Sequence, residues 1–454
     1  MADGQRTPQP LEAPVRIANL AFVGLGGVLV LVCLLLFGQT VGFGFVRADD
    51  ADLITGNQAF LSELSNAPRV FLRSYFEVDG ELSNLETYYR PLVVLSFMVD
   101  AQFDGGGQAA YHATNIILHA IVVVLLFGLA LRLGAGRYAA FGAALLFAVH
   151  PLTVQTVSWI VGRNDSLLAI FALLSLIGLD AAVRDKRVWG FWLHLVTFAL
   201  ALFTKETGIV LLPAYGLIVW LWYDRVGFYR EVRWLPWSYF GAAGVWMAVR
   251  HFALAGGEVS ATPGESLMTF ARNFPQLLAY FGKAVFPVSL NVMPSVDPRA
   301  LGLGVVAVGV LGVTLRRLPT RQMAVVLSWF VLFLLPPLVV PNLPAYEHRT
   351  YVPLLGLAIG LSQLPSLAGN QWRWTGSRYV LVALTIVFGV LTLRHVPTFH
   401  DPLTFWVSAT RNTAYAPIAH VNVGRILEEL DQPGQAAAEY RMALAIDPVT
   451  PKAN

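Results

Sequence analysis

The stretch FAVHPLTVQTVSWIVGRNDSLLAIFALLSL, residues 147–176, decides the fold class. Both of its ends are apolar, and the only full charges between them are Arg163 and Asp165. The run resuming at Ser166 continues to about residue 183, which is within the length a helix needs to cross a hydrocarbon core. The polar piece from His150 to Asp165 therefore reads as a connector at a membrane boundary, with a crossing segment on each side.

The same alternation extends in both directions. Apolar runs fall near 17–37, 111–132, 138–150, 166–183, 188–203, 207–222, 236–254, 300–315, 323–340, 351–364 and 378–394. They predict an all-α polytopic membrane protein with about eleven spans. Composition agrees: hydrophobic residues are 56% of 454 and charged residues only 13%, where a soluble domain carries about a quarter. A net charge of +3 without a basic, aromatic-interleaved stripe argues against nucleic acid as a partner. Cys33 is alone in an apolar run, so there is no disulfide framework and no thiolate metal cluster. The first run is too long for a signal-peptide core, so it reads as a retained helix behind a cytoplasmic tail, residues 1–16.

Arginine and lysine gather at Arg132/Arg137, Arg184/Lys186/Arg187, Arg225/Arg230/Arg233, Arg316/Arg317/Arg321 and Arg373/Arg378. Short basic loops stay in the cytoplasm. With the N-terminus inside, all five are cytoplasmic provided that 268–290, which carries Arg272, Pro275, Lys283 and Pro287, does not cross. That segment is expected to be a re-entrant or surface helix on the outer side. The membrane domain is then 17–396, and the C-terminus is outside. The longest outer loop, 41–110, holds LSELSNAPRVFL and YYRPLVVLSFMVDAQF, two amphipathic pieces expected to lie in the interface with apolar faces toward lipid.

The remainder, 397–454, begins with a linker helix (HDPLTFWVSATRN) and continues PIAHVNVGRILEELDQPGQAAAEYRMALAIDP. Val423, Gly424 and Leu427 supply large–small–large positions of one helix, and Ala436, Tyr440 and Ala443 those of a second. Pro433–Gly434 makes the turn and Pro448 closes the unit, a tetratricopeptide helical hairpin over 417–450. A single such unit cannot bury its own face, so it is either a truncated array or docks on the membrane domain.

Ionisable groups at a membrane boundary are functional candidates. Asp49 and Asp50 follow the first span, where a carboxylate can take a proton from a hydroxyl; a solvated acidic turn is the plainer alternative. Arg163, Asn164 and Asp165 open a span, as a cap also would. Lys205–Glu206 joins two spans, where a snorkelling anchor is ordinary. Glu347, His348 and Arg349 precede another span; Arg suits bidentate phosphate contact, and a Glu–Arg lock is the alternative. Tyr89–Arg90 comes from the first loop, and His112, Asn115 and His119 share one helical stripe facing the bundle. No His/Cys/carboxylate spacing suits a metal, and FDGGGQ lacks the Lys of a phosphate-cradling loop.

At these residues the chain resembles the TMTC family, the transmembrane and tetratricopeptide-repeat O-mannosyltransferases. The resemblance runs collinearly through FVRADD (45–50), YYRPLVVLSF (88–97), YHATNIILHA (111–120), the opening stretch, LFTKETGIVLLP (202–213) and YEHRTYVPLLG (346–356). One departure is His348, which stands between Glu347 and Arg349 where the family pattern joins Glu to Arg. The resemblance implies a GT-C-type bundle using an isoprenoid-phosphate sugar, mannose or another hexose, outside the cytoplasm. An acceptor hydroxyl, Ser or Thr of a protein or a glycan, would attack with inversion. Asp49 or Asp50 would be the base, and Lys205 and Arg349 would hold the lipid phosphate with Arg90 and Arg163 in support. His150, Asp165, Glu206, Glu347, His348, Tyr89 and His112 would shape the sugar and acceptor pocket. No cofactor or metal is expected. The compact loops point to a bacterial inner membrane with a periplasmic site, or to the endoplasmic reticulum in a eukaryote. The competing classes are a transporter, which would show inverted repeats, and a non-catalytic tetratricopeptide scaffold, which would not need Lys205 and Arg349 at the boundary.

Overall fold

The computed structural model describes residues 12–78, 81–82, 88–222, 235–254, 262–294, 297–341, 346–367, 374–411 and 416–449. The basic connection at Arg225, Arg230 and Arg233, and Arg373, lie outside them. Helix α1 (Glu12–Phe37) ends in a 3₁₀ turn, Gly38–Gly42. An irregular strip then leads to two one-turn helices, α2 (Asp49–Leu53) and α3 (Gln58–Ser62). The first loop closes with a two-residue antiparallel hairpin, β1 (Glu77–Val78) with β2 (Glu81–Leu82), and a short helix, α4 (Pro91–Asp100).

The bundle follows: α5 (Gln108–Arg132), α6 (Arg137–Ala148), α7 (Val154–Ser158), α8 (Arg163–Val183), α9 (Val188–Thr204) and α10 (Leu211–Trp222). It continues with α11 (Leu235–Ala253), α12 (Pro263–Val285), α13 (Pro298–Leu315), α14 (Thr320–Val339), α15 (Tyr351–Leu367) and α16 (Trp374–His395). Beyond it lie α17 (Pro402–Ala409) and a helical hairpin, α18 (Ala416–Glu429) and α19 (Pro433–Ile446). In that hairpin a Cβ on Gly424 would collide with the Tyr440 ring, so the large side chain of one helix needs the small residue of the other.

Close helix contacts rest on small residues, as expected where lipid supplies no hydrophobic drive between helices. α8 meets α9 at Gly178 and Gly190, where an added Cβ would strike the His194 and Gly178 backbones respectively. α12 meets α13 in the same way at Gly282 and Gly304.

Among the described residues six helices are long and apolar enough to cross a membrane, or seven if the α6–α7 pair, bent by 55°, is one span. The expected count of about eleven is not met on these terms. Val188–Thr204 has 17 residues, about 25 Å of helix against a hydrocarbon core of about 30 Å. α6 is cut off at His150–Pro151, and α9 and α10 are separated by a break at Lys205. Residues 268–285 of the 268–290 segment lie in α12, a 23-residue helix started by a Thr262/Glu265 capping box, which is not among the candidate crossing helices.

The second amphipathic piece of the first loop behaves differently from expectation. In α4, Pro91, Val93, Val94, Phe97 and Met98 are all buried. This face packs against protein, and Asp100 at its end is buried, while Val99 is exposed. The ends of α1 and α16 meet at one end of the bundle, where Gly44 N–H donates to the His400 carbonyl at 2.9 Å. Asp49, Lys205 and Glu347 belong to connections at that same end.

Candidate functional site

Three buried or half-buried ion pairs surround the bundle's polar end, and the local backbone explains each. α9 stops at Lys205 because that residue is extended (φ −158°, ψ 139°). Successive side chains of an extended segment point to opposite faces, so Lys205 and Glu206 part company rather than pair. Lys205 Nζ donates to Asp165 Oδ1 at 2.6 Å, both side chains being almost fully buried. Glu206 turns the other way, where Oε1 accepts the Tyr89 N–H at 2.7 Å and Oε2 the Arg90 Nε–H at 3.1 Å. The Arg90 guanidinium lies over the Tyr88 and Tyr75 rings, 4.4 and 5.1 Å from their centroids.

The third pair fixes the loop before α15. Glu347–Thr350 is a 3₁₀ turn closed by Thr350 Oγ1 donating to the Glu347 carbonyl at 2.6 Å. Glu347 accepts from Lys283 Nζ of α12 at 2.5 Å and from Asn291 N–H at 3.0 Å. The alternative reading, a Glu347–Arg349 lock, is not formed. Gln155 accepts the His348 N–H at 2.9 Å, and the His348 ring stacks on Tyr346 with centroids 5.2 Å apart. With Glu347 and His348 anchored, Arg349 is the residue of this turn left to line a cavity. Asp165, Leu168, Lys205, Thr207, Phe333 and Val352 complete its wall.

Arg349 has no ion-pair partner among the described residues, and its Nε is buried without an acceptor. Burial first, then the charges of Lys205, Arg349 and Arg90, hold His348 well below the usual histidine range, so it is neutral near pH 7. Burial pulls the Lys205 ammonium down to about 8; Asp165 opposes that shift, while Arg90 and Arg349 add to it. Asp165 Oδ2 is buried with no hydrogen-bond donor and faces His348 Nε2 at 3.9 Å.

Several sequence expectations need correction. Arg163 is fully buried and committed to protein: Asp100 at 2.5 Å, Asn115 Oδ1 at 2.9 Å and the Tyr111 carbonyl at 2.8 Å. It ties α4 and α5 to the start of α8 and has no surface toward a phosphate. The Arg163–Asn164–Asp165 run is not a side-chain cap either, since the cap position is Gly162. His150 has both ring nitrogens on backbone, Nε2 on the Ala284 carbonyl at 3.1 Å and Nδ1 accepting from Leu152 N–H at 3.2 Å. It ties the α6–α7 bend to α12. His112 is buried, edge-on to Phe43 at 6.2 Å, behind the Asp49 segment. Tyr89 contributes its backbone N–H, while its hydroxyl donates to the Phe71 carbonyl at 2.9 Å.

The two aspartates separate in the structure. Asp50 is buried and its carboxylate accepts Val46 N–H at 2.6 Å and Ala48 N–H at 2.8 Å. Burial raises its pKa, and the backbone donors only partly offset this. Asp49 is half-buried at the start of α2, and its charge reaches the buried Tyr75 phenol, as do those of Arg90 and Glu206. Residues that sequence reasoning missed are Asp100, Lys283, Asn291 and Gln155. Lys283 was legible only as a charge arguing against a crossing, and its partner is 64 residues away.

Residues 99–249 match the family model for dolichyl-phosphate-mannose-protein mannosyltransferases. The human protein O-mannosyl-transferase TMTC4 is 33% identical over 209 residues, which are 41% of this chain and 27% of that protein. Over that part the chain is similar to the TMTC proteins. The Drosophila melanogaster TMTC1 protein is 33% identical over 203 residues, 44% of this chain and 23% of its own length. The chain thus spans about a quarter of the length of the TMTC relatives it matches. Among solved structures, apo ArnT from Cupriavidus metallidurans aligns with a TM-score of 0.45 and 16% identity, over 93% of this chain and 75% of that one. That likeness is too distant to carry an argument about the site.

Proposed function

We propose that the chain is a membrane glycosyltransferase that moves a sugar, mannose or another hexose, from an isoprenoid phosphate to an acceptor hydroxyl with inversion. The observation that carries this reading is the charge balance of the polar end. Asp165 is matched by Lys205, Glu206 by Arg90 and Glu347 by Lys283, and Arg349 is the cation left over beside the cavity. A sugar-phosphate-isoprenoid diester carries one negative charge, and the half-buried Arg349 offers one uncompensated positive charge. As the glycosidic C–O bond breaks, the phosphate gains a second charge. Lys205, buried and held by Asp165, and Arg349 beside it would stabilise that developing charge with little reorganisation. Protein cations would thus serve the leaving group, with no metal called on.

Asp49 is the proposed base. Asp50 has its oxygens engaged by backbone N–H groups, whereas Asp49 is the more exposed carboxylate of the two. The relatives' name, protein O-mannosyl-transferase, supports a protein Ser or Thr as acceptor. The arginine-rich connections support an outward-facing site with the C-terminal helices on the same side, and α18–α19 reads as one tetratricopeptide unit. The test is Asp49→Asn with a synthetic isoprenyl-phosphate mannose and a Ser/Thr-rich peptide. Donor binding should persist while transfer falls by about 10²–10⁴-fold, the usual worth of a general base. Full transfer by that variant would remove Asp49 from the mechanism.

A further inference from the structure

The segment that presents Asp49 is not held by regular secondary structure. Residues 43–48 are irregular, and Arg47 sits at φ +55°, the left-handed region that costs a side-chain-bearing residue energy. This turn lets Val46 N–H and Ala48 N–H converge on the Asp50 carboxylate. The same segment is pinned from outside by the C-terminal helices. The Arg47 guanidinium pairs with Glu429, the last residue of α18. Gly44 N–H donates to the His400 carbonyl at 2.9 Å, and the Phe43 ring meets His400 at 4.9 Å. Phe43, Val46, Phe399, Phe405, Val423 and Leu427 are buried in one shared hydrophobic cluster. The hairpin is therefore packed onto the loop it pairs with.

We infer that the C-terminal helices are a positioning element of the site, with Glu429 acting through Arg47 to set the orientation in which Asp49 is presented. The inference rests on Asp49 being the base. Asp49 is two residues beyond Arg47, so a change in the Arg47 backbone conformation re-aims its carboxylate directly. Donor phosphate contacts come from other connections, at Lys205 and Arg349, and do not depend on this seam. Glu429 is about half exposed, so its substitution leaves the packed face of the hairpin intact.

The experiment uses the full chain in nanodiscs, with the isoprenyl-phosphate mannose and Ser/Thr-rich peptide as probes. Three forms are compared with the parent: Glu429→Arg, the charge swap Arg47→Glu with Glu429→Arg, and Asp49→Asn. Glu429→Arg should lower kcat about three- to tenfold with donor KM unchanged, since an exposed pair is a modest tether. It should also speed amide exchange at Val46 and Ala48, and the swap should restore both. Unchanged kcat and exchange in Glu429→Arg, or a swap that restores neither, would overturn the inference. Faster exchange with unchanged kcat would also overturn it, provided Asp49→Asn loses transfer. If Asp49→Asn keeps transfer, the failure lies with the base assignment instead.

Discussion

Replacing Arg349 with Met separates a ligand-binding cation from a structural one. In the structure as it stands, this guanidinium has no ion-pair partner among the described residues, and it shares the cavity wall with Lys205 and Asp165, which pair with each other. Its removal takes away a repulsion and leaves no buried carboxylate bare. Folding stability should hold within about 0.5 kcal/mol, as for substitutions that break no buried interaction. Donor recognition should suffer heavily. Losing one partner of a desolvated charge pair costs about 2–5 kcal/mol. At about 1.4 kcal/mol per factor of ten, kcat/KM for an isoprenyl-phosphate sugar should fall by roughly thirtyfold to several thousandfold. Initial-rate kinetics in nanodiscs and thermal denaturation of the same samples measure the two quantities together. A kcat/KM within about threefold of the parent would refute the phosphate assignment. So would a large drop in Tm, because it would show that Arg349 is bonded within the protein.

The alkaline limb of activity should report Lys205. Its ammonium, set near 8 by burial, is present below that pH and lost as pH rises through it, so donor KM should rise above about pH 8 and Lys205→Arg should flatten the rise. Arg163→Met should give the opposite phenotype to Arg349→Met. It leaves Asp100 buried and unpaired, a loss of about 3–5 kcal/mol in stability, read as a lowered Tm; an unchanged Tm would mean the pair is not formed. Reporter fusions at Asp185 and Arg317 should score cytoplasmic and one after His400 external; an internal score at the last would reverse the sidedness of the site.

Composition and the spacing of apolar runs were enough to declare a helical membrane protein, because lipid admits only backbones that satisfy their own hydrogen bonds. The polar connectors were legible for the same reason, since a charge such as Lys205 or Asp165 is conspicuous in an apolar text. What one-dimensional reading could not supply was pairing. Lys205 and Glu206 are neighbours in the chain, yet the extended backbone at the end of α9 sends them to Asp165 and Arg90, 40 and 116 residues away. Asp49 and Asp50 are indistinguishable as letters; burial and two backbone donors separate them. The sequence reading put both Arg349 and, in support, Arg163 on the phosphate. Only the packing of α4 and α5 against α8 showed that one is consumed by Asp100 and Asn115 while the other keeps its charge uncompensated. A sequence states which charges exist, but which of them remain unneutralised depends on distances that the tertiary fold alone determines.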